Sequence, residues 1–153
     1  MNSTWAWGTA LLRTMLGVIF VMHGYLALAV IGPAGAAGSV TSLGYPPSLA
    51  PLLAWYLVVV HLAGGALIVV GLWTRLAALL QIPIMASATF LLHLPQGFFL
   101  RGILLDAAKS QTVAGGYEYS LLVLVATLAL ALLGPGALSV DGWRAGRHRP
   151  SVP

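Results

Sequence analysis

The chain has 153 residues, 59% hydrophobic and 7% charged, with a mean hydropathy of +0.96. Soluble domains carry about a quarter charged residues, so this composition excludes an ordinary water-soluble enzyme and indicates an all-α integral membrane protein. The net charge of +4 rests on 7 Lys and Arg against 3 Asp and Glu, too few for a nucleic-acid footprint, and the absence of cysteine excludes disulfides, thiol redox chemistry and cysteine-ligated zinc or iron–sulfur clusters.

Four stretches approach the length of about 20 apolar residues that a bilayer-spanning helix takes. The first covers residues 9–31. With Arg13 as basic flank and the small residues "AGAAG" at 34–38, it has features of a signal peptide, but its apolar run is longer than a usual signal core and a retained helix is expected. The segment "SLGYPPSLAP" (42–51) carries three prolines and no charge and reads as a stiff apolar cap. The second span, 52–72, contains no charged residue but holds His61 within "VVHLAGG" (59–65). "GLWTR" (71–75) then forces an antiparallel hairpin into the third span, 75–94, where Gln81 and Pro83 predict a kink. "FFLRGILLDAAKS" (98–110) alternates apolar and charged groups, as a short interfacial helix would. The fourth span, 117–133, is short, and residues 144–153 form a basic tail expected to be disordered or to rest on anionic lipid. Residues 1–143 thus form one four-helix membrane bundle.

Arg13, Arg75, Arg144, Arg147 and Arg149 fall on one side of this topology and Arg101 and Lys109 on the other. The positive-inside rule places both termini in the cytoplasm, in the cytoplasmic (inner) membrane of a bacterium or archaeon. Trp5, Trp7, Trp73 and Trp143 form the expected inner aromatic belt. Tyr45, Trp55, Tyr56, Tyr117 and Tyr119 form the outer one.

His23, His61, His93 and Glu118 come from four different spans and all fall in the outer half. At 1.5 Å per residue, His23 lies roughly 12 Å and His61 roughly 15 Å below the outer helix ends. His61 shares a face with Gly64, Gly65 and Ile68; His93 shares one with Ala86 and Thr89; Arg13, Gly17 and Gly24 form another stripe. Small residues beside polar ones mark helix–helix contacts. An ionisable group within a membrane is a functional candidate, while each His can also act as interhelical glue, Glu118 as an interfacial carboxylate, and Arg13 as a snorkelling cation. Imidazoles with a carboxylate suit the headgroup of a quinone, donating to its oxygen or taking its proton. They also suit zinc, iron or copper, although no pair has tight helical spacing. A b-type haem would need His23 and His61 opposite each other at one depth.

The ordered pieces "LLRTMLGVIFVMHG" (11–24), "HLAGGALIVVGLWTRLAA" (61–78), "HLPQGFF" (93–99), "GGYEY" (115–119) and "GPGALSVDGW" (134–143) resemble the DoxX family of small four-helix membrane proteins. The resemblance implies a four-helix bundle with cytoplasmic termini, and association with quinone-linked redox partners. Arg13, His23, Gly24, Gly64, Gly65, Arg75, His93 and Glu118 fall on the family's pattern. His61 departs from it, standing where the family carries a carboxylate; the change keeps a proton acceptor and removes a negative charge. Three functions follow as expectations. The first is a quinone-linked redox subunit acting through His23, His61, His93 and Glu118. The second is a non-catalytic accessory subunit that packs on a larger membrane complex or on itself. The third, a small-solute transporter, is the weakest, because no inverted repeat is visible.

Overall fold

The computed structural model describes residues 3–98 and 116–147, and every regular element among them is helical. The elements are α1 (Ser3–Val30), α2 (Gly32–Ser42), α3 (Ala50–Val70), α4 (Thr74–Gln96), α5 (Glu118–Leu133) and α6 (Val140–Arg147). Three of them, α1, α3 and α4, are long and apolar enough to cross a membrane, and α5 is a shorter apolar helix of 16 residues. At 1.5 Å per residue α5 is about 24 Å long, a little short of a bilayer core of about 30 Å.

Two helices lie where none is expected from the sequence. Residues 32–42 are helical because Pro33 fits the first turn and the Ala-rich stretch favours helix; Ala36 and Val40 are buried as the helix packs on the start of α3. Residues 144–147 belong to α6 rather than to an irregular tail. Ser139 caps that helix, its Oγ accepting from the Gly142 N–H at 3.1 Å. The chain continues helically through Pro83, and the irregular turn of α4 comes later, at Ala88–His93. Most of the expected interfacial helix at 98–110, with Arg101 and Lys109, lies outside the described residues, as do residues 148–153.

Helices α1, α3, α4 and α5 close into a bundle: α1 packs on α3, α3 on α4, α4 on α5, and α5 back on α1. Its core is built on Leu16, Phe20, Ile68, Ala78 and Leu130. Lipid is as apolar as leucine, so apolar burial drives helix association weakly in a bilayer; close packing and polar bonds must do it. Glycines bring α1 against α3. A Cβ on Gly17 would stand 2.8 Å from the Gly65 carbonyl oxygen, one on Gly65 2.9 Å from the Val21 nitrogen, and one on Gly24 2.8 Å from the Leu62 nitrogen.

The bundle is locked at the end where α1 starts and α6 lies, here the basal end. Gly71, at φ 72°, closes α3 in a left-handed turn, with its N–H on Leu67 O (2.9 Å) and the Leu72 N–H on the same oxygen (3.0 Å). Arg13 is 2% exposed and reaches under this turn. Its Nη1 donates to Ile68 O (3.2 Å) and Val69 O (3.0 Å), and its Nη2 to Ala137 O (3.4 Å) and Leu138 O (3.1 Å). A Cβ on Gly71 would collide with Arg13 Nη1. Arg13 therefore does not snorkel: it caps α3 and ties it to the segment after α5. Asp141 completes the lock from the other side, accepting from the Trp73 and Thr74 N–H groups, both at 2.9 Å, and from Thr74 Oγ1 at 3.1 Å. It supplies the carboxylate that α4 lacks in its own first turn. Trp5, Trp7, Trp73 and Trp143 are more than half exposed around this end.

Replacing Arg13 with Ala leaves four carbonyls without their donors. The expected loss is about 3 kcal/mol, read as a lowered unfolding midpoint by circular dichroism in detergent. Arg13→Lys should recover less than half of it, because an ammonium cannot bridge two carbonyl pairs as a planar fork does. An unchanged midpoint in Arg13→Ala would contradict the clamp.

Candidate functional site

Apart from Arg13 Nε at the basal end, the buried side-chain atoms without a hydrogen-bond partner among the described residues lie from mid-span toward the other end. Three of the four expected site residues lie in long spans, and two sit in widened, π-type turns. His61 lies in the π turn Val60–Gly64 and His93 in the π turn Ala88–His93. Such turns insert a residue into the helical ladder and recur at functional sites.

His61 is 5% exposed, and its Nδ1 is enclosed without a hydrogen-bond partner. Its ring lies against Phe20 (centroids 5.3 Å apart) and edge-on to His23 at 6.4 Å. Gly24 permits this approach, since a Cβ there would stand 3.0 Å from the His61 Cβ. His23 is exposed on the face of α1, where its Nδ1 meets Ile19 O at 2.9 Å. One ring is thus enclosed in the bundle and its neighbour opens toward lipid.

His93 and Glu118 lie elsewhere. His93 is half-buried near the end of α4, with an enclosed and unpartnered Nδ1. Thr89, one turn before it, is fully buried with an unpartnered Oγ1. Glu118 begins α5 half-buried, with its N–H on Phe98 O at 3.1 Å. Among the described residues no group of three or more His, Asp or Glu is placed to hold a metal ion; of the four expected site residues, the rings of His23 and His61 meet. Two open grooves, about 490 and 550 Å³, are lined by Thr4, Gly8 and Leu12 and by Trp73, Arg75 and Pro135 respectively; both are basal and away from the histidines.

Gln81 belongs to the site and its role was not read from the sequence. It is fully buried, and its Nε2 donates to Val60 O at 2.8 Å, beside the π turn that carries His61. A signal was present: counted from the 71–75 turn, Gln81 and His61 fall at similar depth on facing helices.

Comparison with known proteins adds the following. The family model described as DoxX matches residues 8–94. The chain is 29% identical over 141 residues to a Bacillus subtilis (strain 168) protein named "Putative oxidoreductase CatD", an overlap of 92% of this chain and 90% of that one. It is 28% identical over 135 residues to "Inner membrane protein YqjF" of Escherichia coli (strain K12), covering 88% and 89%. No solved structure matches.

An interhelical side-chain hydrogen bond in a bilayer is worth only about 0.6 kcal/mol on average, so even with one partner for its enclosed Nδ1 His61 is weak glue. Its replacement by Leu, which fills similar space without an unpaired polar atom, should change stability by less than about 1 kcal/mol, measured by thermal unfolding in detergent. A loss near 3 kcal/mol would show that His61 holds the helices together.

Proposed function

This chain belongs to the DoxX family, and on that premise we propose that it is a membrane component of a quinone-linked redox system whose His23–His61 pair receives the headgroup of a quinone or quinol. The observation that carries the reading is the buried imidazole of His61, with hydrogen-bonding capacity left unmet, set edge-on to a lipid-facing His23. Burying an unpartnered polar group is unfavourable, and such groups persist where a ligand uses them. A quinone travels within the bilayer, so a lipid-facing entrance suits it better than a water-filled cleft. The name of the Bacillus subtilis relative, "Putative oxidoreductase CatD", supports the same class.

In this reading the rings bind and orient the headgroup and exchange a proton with its oxygen. With no cysteine in the chain, electrons pass through a partner protein that carries the redox centre. Exposed Arg75 and Arg144 at the basal end support a cytoplasmic basal end by the positive-inside rule, and the name of the Escherichia coli relative, an inner membrane protein, supports the inner membrane. His93 and Glu118 then belong to the outer rim of the entrance and not to the headgroup contact.

The test is a titration of short-chain quinol and quinone into the protein in lipid nanodiscs, followed by quenching of tryptophan fluorescence. Saturable binding is expected, weakened at least tenfold, or about 1.4 kcal/mol, by His61→Leu and by His23→Leu. No saturable binding, or equal binding by the variants, would instead favour a non-catalytic accessory subunit.

A further inference from the structure

The hydrogen-bond chemistry of Gln81 and His23 goes further than the pair itself. A carbonyl oxygen only accepts, so the end of the Gln81 side chain bonded to Val60 O must be its NH2 group. This leaves Oε1 enclosed and without a hydrogen-bond partner. The Gln81 amide is held in place: its Nε2 packs over Gly64, 3.3 Å from where a Cβ would stand. His61 follows Val60 directly in the chain, its side chain interacts with that of Gln81, and its enclosed Nδ1 also has no partner. An enclosed acceptor and an enclosed ring nitrogen, each without a partner, thus sit on two side chains that interact with each other.

We infer that Gln81 is the positioning residue of His61: its Oε1 accepts from Nδ1–H and fixes that tautomer, leaving Nε2 as the free acceptor. The same chemistry fixes His23. Its Nδ1 faces the Ile19 carbonyl, which only accepts, so Nδ1 carries the proton there as well. Both neutral rings then present Nε2 lone pairs. A site with two acceptors recognises a hydroxyl donor, so its ligand is the reduced, hydroxyl-bearing form of an aromatic headgroup, a quinol, in preference to the quinone carbonyl. The choice of ligand rests on the function proposed above; the tautomer does not.

The tautomer is read by 15N NMR of [15N]histidine-labelled protein in nanodiscs, at a pH where the histidines are neutral and with no quinol added. The His61 signals are those missing from His61→Gln. Protonated Nδ1 and unprotonated Nε2 are expected for His61, with a mixture of tautomers in Gln81→Leu while the His23 signals stay in place. A protonated Nε2 on His61 in the unaltered protein would overturn the inference, even if Gln81→Leu does not fold; so would an unchanged His61 pattern in a folded Gln81→Leu. In the binding titration, quinol should bind at least tenfold more tightly than quinone. Equal affinities, or a preference for quinone, would overturn the acceptor-only site. Failure of both ligands to bind would remove the proposed function and leave the tautomer to be decided by the spectrum.

Discussion

The fold depends on one buried guanidinium. Arg13 donates to four carbonyls from two segments far apart in sequence, the end of α3 and the strip after α5. In a bilayer the hydrophobic effect does not pull apolar helices together, and the free carbonyls at a helix end find no water at depth. Arg13 answers both problems, and Asp141 answers the matching one at the start of α4. Together they join both sides of the α3–α4 turn to the strip after α5, while Gly136, at φ 67°, lets that strip lie against α1 where a Cβ would meet the Ala6 carbonyl at 2.8 Å.

Arg13 Nε apart, the polar imbalance lies toward the other end. Several buried atoms without partners, His61 Nδ1, Gln81 Oε1, Thr89 Oγ1 and His93 Nδ1, lie from mid-span outward on α3 and α4. His61, Thr89 and His93 also lie in π turns. A lock at one end and unpaired polar groups toward the other divide the molecule into a part that holds the bundle and a part free to meet a ligand from the lipid.

Much of this was legible in the sequence. Hydropathy marked the spans, Gly71 the hairpin, and helical phase the face of α1 where Gly17 and Gly24 meet α3. What escaped depended on tertiary contact. The reach of Arg13 to Ala137 crosses 124 residues, and no local pattern announces it. Residues 32–42 are rich in Ala and Gly with little amphipathic contrast, so their helix shows only through packing on α3. The π turns have no composition signature, and they carry His61 and His93. The depths of the four candidate ligands, by contrast, are legible: His93 and Glu118 fall closer to the outer surface than His23 and His61. His61 is 11 residues into α3 while His93 is 3 from the end of α4, a difference in depth of about 12 Å at 1.5 Å per residue.

The most direct test of the central claim is the amount of native quinone retained per chain when the protein is extracted with its surrounding lipid into polymer-bounded particles. The unaltered protein should retain isoprenoid quinone above the level of the bulk membrane, predominantly as quinol under reducing conditions, and His61→Leu should fall to that level while remaining folded. Equal retention by the two proteins, or none above the bulk membrane in either, would contradict a quinol site at His23 and His61.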